Sequence, residues 1–337
     1  MKPRADKIKI FVYSSFLMCI LLCAVMIYHL WGKLDSSEGY DTMLWNYSPH
    51  FIGLSGVLAI LFLVVLISLG INLKKNKLEA AKSLEKTTQK MHHFRTIADL
   101  LYRSNIWPKG LREYIDKEYP NLSYFEIKEF YKGKSKTAID FLQEPHYFGE
   151  TENLFLELKS LLLIHPKEKY IPEIITYPVC YSPEIVKKWI EHKIGSGLYY
   201  VFGYKYGAYK DFLHLDSVFE RHQEKILSLA HSIDPDKFEG YSFNDLFLSK
   251  IWEHLTKEII PSLAHNKGFL EQGMTTFMQY LYACFFVFVF FGILLPALYL
   301  MLSLGPLALI VSFSVVIFSL LYVLLTFYLF LSGEVNR

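Results

Sequence analysis

Apolar side chains run unbroken near both ends of the chain and fall only periodically between them. Residues 10–31 contain no Asp, Glu, Lys or Arg, and His29 is the one side chain there close to a charge. Residues 51–73 contain no charged or His side chain, and neither does the stretch 277–332. A hydrocarbon layer about 30 Å thick needs about 20 apolar residues wound as helix, so each block is long enough to cross it. The last block is too long for one crossing. It divides at Ser303-Leu304-Gly305-Pro306, where Gly and Pro favour a tight turn and Pro suits a first helical turn. The pattern therefore predicts four spans at 10–31, 51–73, 277–302 and 307–331. A cleaved signal has a shorter apolar core of about 7–15 residues and a small-x-small site. Residues 10–31 end instead in Tyr28-His29-Leu30-Trp31, which predicts a retained anchor.

Between the blocks, 74–276 has ordinary polar and apolar alternation and enough residues for one domain with its own core. Leu78, Ala81, Leu84, Met91, Phe94, Ile97, Ala98 and Leu101 recur at spacings of three and four. This predicts a stalk helix over 74–103 that continues the second span and stops at Asn105 and Pro108. Thr151-Glu152 opens a helix over 152–164, and Ser182-Pro183-Glu184 opens one over 183–194. Further helices are expected over 216–232 and 243–260, with Ser242 and Asp245 as the capping pair of the second. Pro261 then kinks the chain or restarts a helix. Residues 122–131 and 198–206 are aromatic and partly alternating, so each reads as strand with a helical alternative open. The fold class is thus a multi-pass α-helical membrane protein with four transmembrane helices and a mainly α cytoplasmic domain, with at most a minor β element.

Charge sets the orientation. Lys2, Arg4, Lys7 and Lys9 precede the first span, whereas the loop 32–50 sets Lys33 against Asp35, Glu38 and Asp41. Lys74, Lys75 and Lys77 follow the second span. Lys and Arg stay on the cytoplasmic side, so residues 1–9, the domain 74–276 and the tail 332–337 are expected in the cytoplasm. The loop 32–50 and the turn 303–306 are expected outside. Trp31, Trp45, Tyr47 and Tyr280 fall where an interfacial aromatic belt is expected. The localisation is a plasma or inner cell membrane, and the lipid bilayer is the first partner.

The whole chain of 337 residues is 52% apolar, 17% aromatic and 20% charged, with a net charge of +2. Its mean hydropathy is +0.23. The balance argues against a single soluble globule and against nucleic acid as a partner. Cys19, Cys23 and Cys284 lie in spans and Cys180 in the domain, so no pair suggests a disulfide. The spans lack the intramembrane charges of ion-coupled transport, although Ser303, Ser312, Ser314, Ser319 and Thr326 could line a passive pore. Ordinary helix packing also accounts for them.

Gly195, Gly197, Gly203 and Gly207 match neither a P-loop nor a dinucleotide fingerprint and read as structural turns. Asp234-Pro235-Asp236 lacks the glycine and glutamate of a calcium loop and reads as a helix start. The histidines are scattered: His222 and His231, on one expected helix, point to different faces. No cofactor, metal or catalytic group is called for.

Two clusters remain. Tyr199, Tyr200, Tyr204, Tyr206 and Tyr209, interleaved with Lys205 and Lys210, form a candidate partner or ligand surface that a core strand would equally explain. Gly53, Ser55, Gly56 and Ala59 form a candidate helix-packing face, within the bundle or between copies. The leading functional expectation is a non-enzymatic sensor or adaptor. Its cytoplasmic domain would bind a protein or ligand, or a second copy of the chain, and couple to the four-helix bundle. A pore-forming effector or passive channel is the first alternative, and an enzyme acting on lipid or nucleotide the second.

Overall fold

The computed structural model describes residues 2–36, 39–130, 135–144, 147–168, 170–302 and 305–335. They form sixteen α-helices and no strand. Contacts divide the chain into one unit of residues 1–76 with 272–337 and a second of 77–271.

The first unit holds α1 (Lys2–Ser36), the N-terminal half of α2 (Tyr40–Tyr102), α14 (Thr276–Val289), α15 (Leu295–Leu302) and α16 (Leu307–Val335). Four stretches are long and apolar enough to cross a membrane: Phe11–Leu34, one within Tyr40–Tyr102, one within Asp245–Leu302, and Leu307–Phe327. Only 11% to 28% of each apolar window is buried inside the protein. Leu17, Val25, Leu54, Ile60 and Ile67 are more than half exposed. An apolar surface of that extent is stable in lipid and aggregates in water. Helix α1 packs along α16, which also receives α14 and α15. Phe51 meets Phe313 edge-on at 4.3 Å and Phe62 stacks on Phe288 at 5.3 Å.

Helix covers most of 32–50, read from the sequence as a loop, because α1 runs to Ser36 and α2 begins at Tyr40. Pro49 lies inside α2 and cannot donate to the Trp45 carbonyl, but the Ser48 hydroxyl donates to that oxygen at 2.9 Å. Two further prolines follow widened turns. Pro296 comes two residues after the π-helical turn Phe290–Leu294, and Pro261 two residues after Leu255–Ile259. A π turn re-registers the backbone ladder, so a residue without an N–H can sit in a continuing helix. Pro261 therefore does not restart a helix: α13 (Ile260–Glu271) continues directly from that turn. In the expected turn 303–306, Ser303 and Leu304 lie outside the described residues, as do residues 336–337 of the expected tail.

The second unit begins in α2, which is helical without a break from Tyr40 to Tyr102. Then come α3 (Leu111–Glu118), α4 (Tyr124–Lys128), α5 (Lys136–Gln143) and α6 (Thr151–Leu162). α7 (Pro183–Glu191), α8 (Ser196–Tyr200) and α9 (Tyr206–Tyr209) follow, the last two joined by a π turn at Val201–Lys205. α10 (Glu220–Ile233), α11 (Pro235–Phe238), α12 (Asp245–His254) and α13 complete it.

Both segments read as strand are helical. Residues 122–131 contain a capping box. The Ser123 hydroxyl accepts from the Glu126 amide, and the Ser123 amide donates to the Glu126 carboxylate at 2.9 Å. Two helical end donors are satisfied locally, which outweighs the β preference of the aromatics. Residues 198–206 wind as α8 and its π turn, started by a buried carboxylate described below. Several helix ends also move. The expected start at 243 falls at Asp245, because Asn244 rather than Ser242 accepts the capping amide, from Phe247 at 2.8 Å. The 216–232 helix divides into a short 3-10 turn at Leu215–Ser217 and α10. Ser182 caps α7 and Asp234 caps α11, each followed by proline at the first helical position.

Helix α6 is the centre of this unit. Every residue from Thr151 to Leu162 except Asn153 is buried. α4 and α8 pack on α6, α12 on α8, and α13 on α7. Trp189 and Trp252 are fully enclosed, and burying each such side chain contributes about 1.5–3 kcal/mol or more.

Candidate functional site: a donor-lined cleft beside the buried helix α6

A helix buried on nearly all sides has no polar face on which to place a charge, yet α6 carries Glu152, Glu157 and Lys159. Two of these meet partners. Glu152 accepts from the Phe148 amide at 3.1 Å. Glu157 is 1% exposed and accepts from the amides of Gly195 at 2.8 Å, Gly197 at 3.1 Å and Leu198 at 3.2 Å. It thereby caps α8, whose own N-cap Gly195 has no side chain to do so. Burial pushes the Glu157 carboxyl up to about 7, against the three amides and the Lys128 ammonium, which pull it down.

The carbonyl end of α6 is closed by Arg95 from α2. This side chain is 1% exposed and donates to Leu161 O at 3.1 Å and Leu162 O at 2.6 Å, and also to Thr176 O at 2.7 Å. A buried cation on the negative end of a helix is favourable, and here it also satisfies carbonyls that the helix leaves free.

Lys159 differs. Its residue is 4% exposed, and among the described residues it makes no hydrogen bond and no ion pair. Burial holds its ammonium below the usual lysine range, partly offset by Asp116. The side chain lines a cleft of about 300 Å³ together with Tyr102, Arg103, Arg112, Asp116, Tyr170 and Glu173. A second cleft of about 720 Å³ shares Tyr102, Arg103 and Arg112 and adds Trp107, Lys109, Glu113, Phe155 and His214. Volumes of this size suit a small organic ligand.

Tyr102 is 5% exposed, and its hydroxyl likewise has no hydrogen-bond partner among the described residues. Its phenol is pushed up to about 12 by burial, so it carries its proton at neutral pH and can donate. Its ring stacks on Phe155 at 4.6 Å and lies under the Arg112 guanidinium at 5.5 Å. Arg112 is half exposed and only loosely paired with Asp116, at 3.8 Å. Arg103 is held more firmly, donating to Asp99 at 2.6 Å and to the Pro172 and Glu173 carbonyls. The cleft thus presents three available donors from three elements: Tyr102 on α2, Arg112 on α3 and Lys159 on α6.

The tyrosine cluster divides in two. Tyr200 and Tyr204 are exposed, and half-buried Tyr199 links them to the core. Tyr200 stacks on Tyr204 at 5.9 Å, and the Tyr199 and Tyr204 hydroxyls are 3.3 Å apart. Tyr206 and Tyr209 turn toward the core, donating to Leu213 O and to Glu150. Lys205 and Lys210 are exposed, whereas the cation over the Tyr199 ring is Lys257, at 5.3 Å. Within the packing face, Ser55 and Ala59 are buried, while a Cβ added at Gly53 or Gly56 would meet nothing within 4 Å. The close approach instead lies between Ser55 and Gly292, where an added Cβ would fall 2.6 Å from that of Ser55.

All four cysteines are free. Among the described residues, Glu129, Glu191 and His192 have donor atoms near enough for one cation. The Lys188 ammonium already pairs with Glu129, and His192 bonds to the same carboxylate oxygen at 2.9 Å. That oxygen is committed to an ion pair, so the group serves as a bridge between α7 and the end of α4.

Sequence reasoning passed over Lys159, Glu157 and Arg95. A signal was present: Glu157 and Lys159 interrupt the apolar run 154–163, leaving that helix no continuous polar face. Comparison of the chain with protein-family models, curated proteins and solved structures returns no match.

Proposed function

We propose that residues 77–271 form a cytoplasmic ligand-binding domain and that the protein is a membrane sensor or adaptor rather than an enzyme. In this reading both termini face the cytoplasm, and the four apolar helices answer to the state of the cleft. One observation carries the proposal. Tyr102 and Arg103, which line both clefts, close the same 63-residue helix whose N-terminal half is an apolar span. A ligand that draws on those side chains acts on the end of a continuous helix, and a ligand shifts an equilibrium only through differential contacts of this kind. At its other end the domain joins α14 through α13 and a short connection, so a rearrangement inside the domain has two covalent routes to the spans.

The test fills the cleft without knowing its ligand. A cysteine introduced at Glu113, in a full-length background lacking Cys19, Cys23, Cys180 and Cys284, is loaded with a bulky thiol adduct. Amide hydrogen exchange is then compared with and without the adduct. Coupling predicts altered exchange in 40–76 and 276–302. Changes confined to 77–271 would sink the proposal.

A further inference from the structure

We infer that the cleft between Tyr102, Arg112 and Lys159 takes a phosphate monoester. The inference rests on the ligand-binding reading above and names the chemistry that the site selects. Two side chains of the cleft, Lys159 and Tyr102, are at least 95% buried and lack an acceptor among the described residues. Their stems are enclosed while the ammonium and the hydroxyl stay open to the cleft, so both donors are delivered to one cavity and held there by packing. The missing partner must accept hydrogen bonds and carry negative charge, because lysine offers donors only. The nearest carboxylates do not fill that role. Asp116 leans toward Arg112, and among the described residues no carboxylate oxygen pairs with the Lys159 ammonium within 4.0 Å.

A phosphate monoester matches the set. Its two negative charges answer the two available cations, Lys159 and the loosely held Arg112. Its three terminal oxygens accept from donors that reach the cleft on three separate elements, whereas a carboxylate offers two oxygens in one plane. The adjoining cleft of about 720 Å³, walled by Tyr102, Trp107 and Phe155, leaves room for the esterified body of the ligand. The phosphoryl group could belong to a soluble ester or to a lipid headgroup.

The test uses the full chain in detergent and in nanodiscs, and reads thermal stability and calorimetric binding at fixed ionic strength. The probes are inorganic phosphate, glycerol 3-phosphate and, as a carboxylate control, acetate. Wild type should be stabilised by both phosphates and not by acetate. Tyr102→Phe should weaken phosphate binding several-fold, and Lys159→Met about tenfold or more. Lys159→Met should also melt close to wild type without ligand, since it keeps the buried unbranched stem and removes an ammonium that has no protein partner among the described residues. A lysine kept only for packing would not give this combination. If Lys159→Met fails to fold, Arg112→Gln, at a half-exposed position, serves for the affinity arm. Nanodiscs containing phosphatidic acid identify the source. Glycerol 3-phosphate affinity unchanged between discs with and without that lipid assigns a soluble ester, and a several-fold weaker affinity in the phosphatidic acid discs, from occupation by the lipid, assigns a headgroup. Equal responses to phosphate and acetate, or a Lys159→Met titration matching wild type, overturn the inference. Phosphate binding that leaves exchange in 40–76 and 276–302 unchanged overturns the coupling and spares the phosphate assignment.

Discussion

Glu157 accepts hydrogen bonds from three amides of one turn while lying almost wholly out of water, and these two facts act on its proton in opposite directions. Burial is the larger, so the folded carboxyl titrates at about 7 against 4.5 for the ordinary group. Between those values the folded protein holds a proton that the unfolded chain has released. Stability from this residue is therefore greatest at low pH and falls as pH rises through the window, by at most about 1.4 kcal/mol per pH unit. His254 works the other way. Burial and the Lys237 ammonium, 3.1 Å from Nδ1, hold its imidazole below the usual value, so it favours the folded state as pH rises toward 6.5. The difference between wild type and Glu157→Gln isolates the carboxyl. Denaturant midpoints measured from pH 4.5 to 7.5 should show wild type losing stability relative to the variant as pH rises. A constant difference across the range would mean that Glu157 stays ionised on folding.

At the scale of helices, the approach of Ser55 to Gly292 fixes where the membrane unit tolerates bulk. Gly292→Leu must push α2 away from the turn that follows α14, and overpacking of this kind costs about 1–3 kcal/mol or more. Gly56→Leu points into open space within the chain and should change stability by less than about 0.5 kcal/mol. Thermal unfolding of both variants in detergent separates them. A large loss at Gly56 would instead identify that face as a contact between copies. The small residues of the second span were legible from spacing alone, but the side of α2 that meets another helix was not. That choice belongs to Gly292, more than 230 positions away in sequence. Helix ends divide similarly. Ser182 before Pro183 and Asp234 before Pro235 announce their helices, because cap and proline act within one turn. The Ser123–Glu126 box was equally local and was outweighed in reading by the aromatics around it. α8 had no local signal of that kind, because its cap comes from α6.

For the whole molecule, the positive residues flanking the spans make topology a direct test. With the native cysteines removed, a cysteine placed at Ser242 should react with an impermeant maleimide only after the cells are permeabilised. Labelling in intact cells would place residues 77–271 outside and remove the cytoplasmic reading. The four apolar stretches follow from the sequence by itself, since crossing a bilayer depends on a continuous run of side chains and on little else. The mainly helical domain follows too, through spacing and local caps. Tertiary structure alone decided the cleft. Tyr102, Arg112 and Lys159 stand on three helices separated by turns whose geometry no local rule fixes, and a lysine reads as surface until its neighbours enclose it. A charge declares itself as a site only once every possible partner in the fold has been placed, and that placement is a property of packing rather than of the residue.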